Sequence, residues 1–597
     1  MFGKILKMIK PEKKYFFIAG IATLLNSVFM LLLPLIVRFV IDYVLSGADA
    51  SDDIMFNYII NIFGDVSYLR DNIWICSLVI IGLAVCQAIC AFFRGKLTSI
   101  GAENIAKRQK DSLYDHIQNL PYDYHVKAQT GDLIQRCTSD VDTIRRFIST
   151  QFMEMFRILF TAGIAFSVLL NFHVGLAFVA ICVIPVISIS AYYYMGKINA
   201  SFSAADIKEG ELSTIMQENF TGVRVVRAFG REVFELEKFK KVNVEYRDLM
   251  YKNLNYMAVF WGISDFLCFF QIGTVILSGA YMAYSGYISL GTLFVFTTYV
   301  NSLVWPLRQL GRILSNLGRT RISLERINEI LYTPLEVNAE DAIKPDLKGS
   351  IVFKDVSFNY ESNKPVLKNI SFTVENGQKI AILGSTGSGK SSLMHLLLRL
   401  YDYKQGSIKI NGHELNSIDK KHLRERIGIV LQEPFLYSKT IRENVKMAKD
   451  NVSDDEVYKA ARVANIHDVI NEFKDGYETM VGERGVTLSG GQKQRLAIAR
   501  TLVKDSDILI FDDSLSAVDT ETDAIIQAEL KENAKGVTTF IISQRITTLM
   551  SADKIFVMEG GKITDSGTHE ELIGRDGLYY RVWNIQNTLE DEFEKEA

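Results

Sequence analysis

The stretch from Gly384 to Ser391 has a clear chemical pattern, because it reads G-x-x-x-x-G-K-[ST] directly after the apolar run Lys379–Leu383. In this pattern the glycines let backbone N–H groups approach phosphate oxygens, the lysine adds charge at the β and γ oxygens, and the final hydroxyl can bind Mg²⁺. A purely structural glycine loop would not need the Lys390-Ser391 pair. The pattern therefore predicts a nucleotide-binding loop. Its candidate ligands are Gly384, Ser385, Thr386, Gly387, Ser388, Gly389, Lys390, Ser391 and Ser392.

Asp512 is the candidate acidic partner for the same metal ion. It ends the run Ile508–Phe511, whose continuous apolar character is typical of a strand buried in a parallel sheet. A carboxylate at this place suits a Mg²⁺ ion that is also held by the Ser391 hydroxyl. The loop and Asp512 together predict bound nucleotide and Mg²⁺.

The chain around these motifs alternates short β-branched runs with helical segments, which is typical of an α/β domain. The runs are Ile351–Phe358, Lys379–Leu383, Ile427–Leu431, Ile508–Phe511 and Thr538–Ile542. We predict this domain over residues 350–585, after a linker at 319–349 and before an acidic C-terminal tail at 586–597. At 597 residues the chain is too long for one core, so residues 1–318 are predicted to form another domain.

Long apolar runs dominate the chain before about Leu310, although the whole sequence is 48% hydrophobic and 23% charged. A helix needs about 20 mostly apolar residues to cross a bilayer core. Six runs have this length: Tyr15–Ile41, Ile73–Phe93, Phe152–Phe172, Val174–Met195, Met257–Tyr281 and Leu290–Leu310. We therefore predict an all-α membrane domain with six spans. The first run is too long for a signal-peptide core, so it should remain as a span.

The charges between the runs orient the predicted spans. The first connection, Ser46–Asn72, has five aspartates against Arg70 alone, whereas the N-terminal stretch and the connections Arg94–Thr150 and Gly196–Asn255 are rich in Lys and Arg. Since cytoplasmic loops carry the basic excess, we predict a multi-pass protein of the cell membrane with both termini in the cytoplasm. The net charge of −3 provides no basic surface for nucleic acid, which we exclude as a partner.

The two long connections read as helices, because apolar residues recur at helical spacing through Ile105–Leu120 and Ile207–Met250. At about 1.5 Å per residue, a helix over Arg94–Gln118 would extend on the order of 35 Å beyond the membrane. Two short non-periodic pieces lie at the far ends, Tyr122–Asp132 and Asn219–Arg231. We predict that they dock on the soluble domain, and the alternative is a solvated turn.

Between the two phosphate motifs lies Leu488-Ser489-Gly490-Gly491-Gln492, the signature sequence of the ATP-binding cassette (ABC) family, so the chain resembles that family. Further family motifs extend the resemblance over the whole cassette. They are Tyr360 at the adenine-stacking position, Gln432 in the Q-loop, Val481–Gly485 in the segment that contacts the membrane domain, and Ser516–Asp519 as the D-loop. The resemblance implies ATP as the nucleotide and adds Gln432 to Ser391 and Asp512 as a Mg²⁺ ligand.

Six spans with long cytoplasmic extensions before a cassette resemble the exporter half-transporters of this family. The resemblance implies the type I exporter (type IV ABC) fold, ATP hydrolysis coupled to transport, and function as a dimer. Two cassettes would enclose two ATP molecules, so that each ATP contacts the phosphate loop of one chain and the signature of the other. The signature residues expected to complete the partner's site are Ser489, Gly490, Gly491 and Gln492.

Two positions depart from the family pattern. The residue after Asp512 is normally glutamate, which polarises the attacking water, but here it is Asp513, one methylene shorter. A carboxylate set back by about 1.5 Å loses alignment with water, and misplacement on the order of 1 Å can cost roughly 10²-fold in rate. The switch histidine is replaced by Gln544, which can hydrogen-bond but cannot take a proton.

Both changes fall on the hydrolytic step, while the binding elements are retained. The chain therefore resembles the degenerate half of a heterodimeric bacterial multidrug exporter, with a second half-transporter as its partner. The candidate catalytic residues are Asp513, Gln544 and Gln432. Two alternatives stay open: a slow homodimeric ATPase that exports lipid or peptide, and an ATP-gated sensor or channel.

The predicted fifth and sixth spans contain the candidate substrate contacts. An ionisable residue at the depth of Asp265 usually faces a bundle interior or a water cavity, where it would contact a cationic substrate or a polar group of a neighbouring helix. Trp305-Pro306 predicts a bend near Arg308. Both spans are rich in aromatic residues, which suits a hydrophobic or amphipathic small molecule in a lipid environment.

Overall fold

The computed structural model describes residues 2–46, 66–339, 341–360, 364–482, 485, 488–515, 518–533 and 536–596. The chain forms two compact units. The first contains Met1–Asn119 and Ala128–Thr333, and the second contains Leu120–Lys127 and Pro334–Ala597. Several sequence predictions lie outside the described residues: most of the aspartates of the first connection, Glu483 and Arg484, Ser516 and Ala517 of the D-loop, and the side chains of Trp305 and Arg308.

Regular structure in the described part of the first unit is helical. The helices of residues 2–331 are α1 Phe2–Ile9, α2 Lys13–Phe39, α3 Val66–Asp71, α4 Trp74–Gln118, α5 Tyr122–Lys127, α6 Thr130–Gln135, α7 Val141–Arg146, α8 Met153–Phe172, α9 Val174–Ile181, α10 Ile184–Thr221, α11 Val223–Ala228, α12 Glu232–Tyr284 and α13 Leu290–Leu331. Of these, α5 belongs to the second unit. Three π-helical segments, Val40–Leu45, Arg136–Asp140 and Phe147–Phe152, continue the helices that precede them.

Among the described residues, five helical stretches are long and apolar enough to cross a membrane. They are Gly3–Leu45, Trp74–Gln118, Thr130–Phe172, Val174–Thr221 and Glu232–Tyr284. A sixth, shorter apolar stretch, Leu290–Leu303, begins α13. The predicted helical membrane domain is therefore confirmed, and the sixth predicted span falls on this shorter stretch.

Two buried polar contacts join α13 to the first membrane helix. The Tyr299 hydroxyl donates to the Leu31 carbonyl oxygen at 2.6 Å. The buried Asp42 accepts from the Gly291 amide at 2.9 Å, and its other carboxylate oxygen lies 3.4 Å from Arg38 Nε. Such contacts satisfy polar groups that a membrane core would otherwise leave unpaired. Asp265 of α12 is half-buried.

The second unit contains two sheets. Its strands are β1 Ile351–Phe358, β2 Leu367–Val374, β3 Lys379–Gly384, β4 Gln405–Ile410, β5 His413–Glu414, β6 Ile427–Val430, β7 Ile508–Asp512, β8 Thr538–Ile542, β9 Lys554–Glu559 and β10 Lys562–Gly567. One sheet has the order β2-β1-β4-β5 and is antiparallel. The other has the order β10-β9-β3-β8-β7-β6 and is parallel except for β10 at its edge.

Helices connect these strands. They are α14 Lys390–Leu397, α15 Lys420–Arg426, α16 Ile441–Lys446, α17 Asp454–Val463, α18 His467–Glu472, α19 Gly490–Leu502, α20 Thr520–Asn533, α21 Ile546–Leu549, α22 His569–Ile573 and α23 Leu578–Glu596. The carboxyl ends of β3, β8, β7 and β6 meet at one edge of the parallel sheet, which is where such sheets bind ligands. The predicted α/β domain is confirmed.

Two predicted boundaries differ from the observed elements. The segment predicted as a linker at 319–349 starts as helix, because α13 continues to Leu331. The predicted acidic tail at 586–597 continues α23 up to Glu596. Neither segment has the continuous apolar run that marked the predicted spans, although Leu324, Ile327 and Ile330 of the first are buried and recur at helical spacing.

Candidate ATP-binding site

The phosphate loop connects β3 to α14 and depends on glycine at several places. Gly387 and Gly389 have φ of +82° and +99°, which disfavour residues with a side chain. A Cβ at Gly389 would lie 2.7 Å from Leu367 Cδ2, and one at Gly384 would lie 2.4 Å from the Met558 carbonyl oxygen. The backbone N–H groups of the loop are therefore not covered by side chains at these positions. The loop leads into the N-terminus of α14, where free N–H groups and the helix dipole favour a bound anion.

Lys390 and Ser391 follow at the start of α14. Lys390 Nζ donates to the carbonyl oxygens of Gly384 and Ser385, at 2.7 and 2.9 Å. Burial lowers the pKa of Lys390, while the carboxylates of Asp513 and Asp512 oppose this effect. The ammonium group of Lys390 is held beside the loop, where it can donate charge-assisted hydrogen bonds to a polyphosphate.

Ser391 and Asp512 meet across the sheet edge. The Ser391 hydroxyl donates to Asp512 Oδ1 at 3.0 Å, and Asp512 is only 6% exposed at the end of the fully buried strand β7. A hydroxyl beside a carboxylate is an oxygen donor set that fits Mg²⁺. The metal ligands predicted on two distant motifs are thus adjacent.

Ten of the predicted site residues line one cavity of about 200 Å³, whereas Tyr360, Gly384, Ser385 and Ser388 are not part of its lining. Its lining consists of Thr386, Gly387, Gly389, Lys390, Ser391, Ser392, Gln432, Asp512, Asp513, Ile542 and Gln544. All of them except Ile542 were candidate site residues. Motifs spread over more than a hundred residues of sequence therefore come together at the carboxyl edge of the parallel sheet.

Asp513 lies in this cavity with a left-handed backbone, φ +48°. Its amide donates to the Ile542 carbonyl oxygen at 2.9 Å, and its Oδ2 accepts from Gln432 Nε2 at 3.2 Å. Burial and the neighbouring Asp512 raise the pKa of Asp513, whereas Lys390 and Arg545 oppose the rise. The Asp513 carboxylate therefore binds a proton more readily than an ordinary aspartate, but it already accepts a hydrogen bond from Gln432.

Gln544 follows β8, between the phosphate loop and Asp512. Its backbone carbonyl accepts from Gln586 Nε2 at 2.9 Å, which ties the position to α23. The next residue, Arg545, donates to the Val518 carbonyl oxygen at 2.6 Å. An amide side chain therefore lines the cavity where the family pattern has an imidazole, and it can only hydrogen-bond.

Tyr360 follows β1, and its side chain is 39% exposed. Its hydroxyl group is hydrogen-bonded to the Ser392 hydroxyl at 2.9 Å. Its ring centroid lies 4.9 Å from that of Phe358 and 5.0 Å from that of Tyr401, both nearly perpendicular to it. The sequence did not single out Tyr401, because a lone tyrosine after a helix carries no local signal of a site.

The signature residues do not line this cavity. Ser489 caps α19 in a capping box, in which Gln492 N donates to Ser489 Oγ and Ser489 N donates to Gln492 Oε1. Ser489 and Gly490 are exposed, and a Cβ at Gly490 would meet no atom within 4 Å. The helix N-terminus is thus ordered and open, yet it contributes nothing to the phosphate loop of its own chain.

Both parts of the chain match models of known protein families. The model for the ABC transporter transmembrane region matches residues 16–307, and the ABC transporter model matches residues 367–516. The ABC transporter ATP-binding protein YknU of Bacillus subtilis is 34% identical over 579 residues, which are 96% of each chain. The chain belongs to the ABC transporter family.

Two further relatives of this ABC transporter indicate its type. The ATP-dependent lipid A-core flippase of Syntrophus aciditrophicus is 31% identical and covers 98% of this chain and 94% of the relative. A solved structure of a bacterial Atm1-family ABC exporter with ATP bound superposes with a TM-score of 0.80, at 25% identity over 96% of this chain and 99% of that chain. The predicted transporter ATPase with an exporter fold, a membrane location and an ATP-binding domain is confirmed.

Proposed function

We propose that this chain is one half of a heterodimeric ABC exporter, that it binds ATP at an impaired site of its own, and that it completes the catalytic site of a partner. The observation that supports this proposal is the lining of one cavity. Its phosphate-binding residues are intact, while Asp513 and Gln544 occupy the two positions that serve hydrolysis. ATP binding is retained because Lys390, Ser391 and the glycine loop bind phosphate without help from either position.

We propose that the Asp513 side chain is too short to place its carboxylate against the attacking water. Burial and the neighbouring Asp512 raise the pKa of Asp513, so we do not assign the impairment to a weakened base. However, an aspartate carboxylate starts about 1.5 Å closer to the backbone than that of glutamate, and a 1 Å misplacement can cost about 10²-fold in rate. The bond from Gln432 at 3.2 Å further holds the carboxylate toward the Q-loop.

Gln544 removes the second hydrolytic group. A histidine at this place can donate to the γ-phosphate and carry positive charge, whereas an amide remains neutral at every pH. Because both substitutions weaken the same step, we assign ATP retention rather than turnover to this site. Mg²⁺ would be held by Ser391 and Asp512, with Gln432 as the third ligand.

The partner is implied by the signature. Ser489 and Gly490 are exposed at an ordered helix N-terminus, away from the cavity of their own chain. Phe220 and Phe229, in the predicted docking piece Asn219–Arg231, are 77% and 76% exposed. We propose that a second half-transporter covers both features, with its ATP against the signature of this chain.

The transported compound is proposed to be amphipathic, either a drug or a lipid-like molecule. Asp265 is a half-buried carboxyl residue in the membrane part of α12, and Phe266, Phe269 and Phe270 beside it are exposed apolar rings. The flippase relative is named for a lipid substrate. Both termini of this chain are proposed to lie in the cytoplasm.

Purification of the pair tests the proposal. The chain, tagged and expressed with a half-transporter that carries glutamate and histidine at the positions of Asp513 and Gln544, is expected to copurify with it at equal stoichiometry. Inverted vesicles with both chains should accumulate an amphipathic dye in the presence of ATP. Nucleotide-dependent conductance without accumulation would favour the gated channel, and a stable homodimer of this chain that accumulates the dye with slow ATP turnover would favour the slow homodimeric exporter.

A further inference from the structure

A second cavity of the ATP-binding unit, which we call the rear cavity, has a volume of about 660 Å³. This volume suits a small organic molecule. Lys379 begins β3, Thr539 lies near the start of β8, and Asp553 directly precedes β9, so the amino ends of three neighbouring strands line the cavity. The ATP cavity lies at the carboxyl ends of this sheet, and the two linings share no described residue. The other polar lining residues include Asp523, Gln527, Lys531, Thr548 and Ser551.

A closed ring of hydrogen bonds forms the polar part of the rear cavity. Lys379 Nζ donates to Gln527 Oε1 at 2.5 Å and to Ser551 Oγ at 2.8 Å. The Gln527 amide donates to Asp523 Oδ1 at 3.3 Å, and Thr548 Oγ1 donates to Asp523 Oδ2 at 2.5 Å. The Ser551 hydroxyl closes the ring on the Thr548 carbonyl oxygen at 3.1 Å. Asp523 and Thr548 are only 4% and 2% exposed, so the ring is built into the fold.

This ring leaves a cationic donor with unused capacity. An ammonium group has three N–H donors, and two of those of Lys379 are given to neutral oxygens. Burial lowers the pKa of Lys379, which Asp523 and Asp553 oppose and Lys531 reinforces. Both carboxylates already accept hydrogen bonds, Asp523 on both oxygens and Asp553 from the Lys379 amide at 2.8 Å. The free N–H of the ammonium group therefore suits an anionic ligand.

The remainder of the lining is largely apolar. Leu530 and Ile541 belong to the packed interior, at 7% and 1% exposure. Ala524 and Ala528, one turn apart on α20, are exposed, and their small side chains leave the cavity open above them. An apolar ligand body that covered this surface would remove apolar area from water, which favours binding.

We propose that the rear cavity binds an organic monocarboxylate, with the carboxylate against Lys379 Nζ and the apolar body against the alanines of α20. A single negative charge fits this lining, because a second charge on the ligand would be repelled by the two lining aspartates. The exposed Lys531 lies in the same lining and adds positive charge on the solvent side. This site is separate from the ATP site and goes beyond the proposed function.

Fluorine NMR of the full chain in lipid nanodiscs tests the proposal, with empty nanodiscs as the blank. The probe is para-fluorophenylacetate, and para-fluorophenylacetamide has the same apolar body without the charge. We expect saturable binding of the acid, with a Kd on the order of 1 mM for a ligand of this size. The amide should bind at least about tenfold more weakly, because a charge-assisted hydrogen bond is lost. Saturating Mg-ATP should not displace the probe.

Four variants locate the probe. Lys379→Met removes the ammonium group and should weaken binding at least about tenfold. Ala528→Trp fills the cavity from an exposed position outside the hydrogen-bonded ring, so it should abolish binding even if Lys379→Met does not fold. Lys531→Glu should also weaken binding. Lys474→Glu is its matched control, because it makes the same charge change at an exposed lysine outside the lining, and its affinity should stay within about twofold of wild type.

The possible outcomes decide the proposal clearly. Binding that does not saturate, equal affinity for acid and amide, or displacement of the probe by ATP would overturn it. Unchanged affinity in Ala528→Trp would also overturn it, as would an equal loss in Lys474→Glu and Lys531→Glu. A fluorescent-nucleotide titration of each variant checks the fold, since the ATP cavity shares no described residue with the rear cavity. Loss of probe binding with nucleotide binding retained is the result that supports the site.

Discussion

Gly490 offers a substitution that should stop hydrolysis in the proposed pair without damage to this chain's fold. It is the first residue of α19, is exposed, and has open space where a Cβ would be. Gly490→Asp should therefore fold normally. In the proposed dimer, however, its carboxylate faces the γ-phosphate bound by the partner, because the signature helix must approach that phosphate for the site to close.

The size of the effect follows from charge. Two like unit charges about 5 Å apart repel by about 3 kcal/mol at an effective dielectric constant near 20. The N-terminus of α19 stabilises an acidic side chain equally in the open and the closed dimer, so it does not reduce this penalty. A penalty of about 3 kcal/mol corresponds to on the order of 10²-fold less closed dimer, and hydrolysis should fall by the same factor.

Steady-state ATPase of the pair and photolabelling of each chain by azido-ATP measure the two effects. We expect about 1% of wild-type hydrolysis from this factor, with labelling of this chain unchanged. Gly490→Asn is the matched control, since it has the same shape without the charge and should keep most activity. Hydrolysis near wild type in Gly490→Asp, or lost labelling of this chain, would refute the shared-site reasoning.

Three further predictions concern the chain's own site. Lys390→Ala should weaken ATP binding there by at least about tenfold, because the phosphates lose a charged donor, and a fluorescent-nucleotide titration with unchanged affinity would contradict this assignment. Asp513→Ala should alter turnover of the pair by less than about threefold, since the carboxylate is already misplaced, and ATPase at background level would place catalysis at this site. Gly389→Ala should lower ATP affinity more than Gly387→Ala in the same titration. Both positions have positive φ, but only at Gly389 would the new Cβ lie 2.7 Å from Leu367. Equal effects would argue against a steric cause.

Local patterns made much of this structure predictable. The loop Gly384–Ser391 and the strand before Asp512 are each recognisable from a few consecutive residues. Most residues that line the cavity could therefore be predicted from the sequence. The five predicted runs correspond to β1, β3, β6, β7 and β8, whereas β2, β4, β5, β9 and β10 were not predicted. Of these, β10 (Lys562–Gly567) has no apolar run. The helix over Arg319–Leu331 continues α13 into the segment predicted as a linker, and it was not predicted there because it has no continuous apolar run.

Contacts between distant residues could not be predicted. The bond from Gln432 to Asp513 spans 81 residues and depends on how β6 and β7 end beside each other. The rings of Tyr401 and Tyr122 are in contact because α5 packs within the second unit. Such a contact depends on the tertiary structure and has no local pattern in the sequence. The first predicted docking piece therefore packs with the soluble domain over α5, and docking of Asn219–Arg231 stays a prediction.

The central claim is that this chain binds ATP but hydrolyses it poorly by itself. The most direct measurement is the ATP turnover number of the full chain purified alone in nanodiscs that hold two copies, so that the signature of each copy can complete the other's site, beside that of the double variant Asp513→Glu with Gln544→His. We expect saturable ATP binding with turnover at least about 10²-fold below the ordinary enzyme value near 10 s⁻¹, and a rise of at least about tenfold in the double variant. A wild-type chain that turns over ATP near 10 s⁻¹ alone, with no gain in the double variant, would contradict the account.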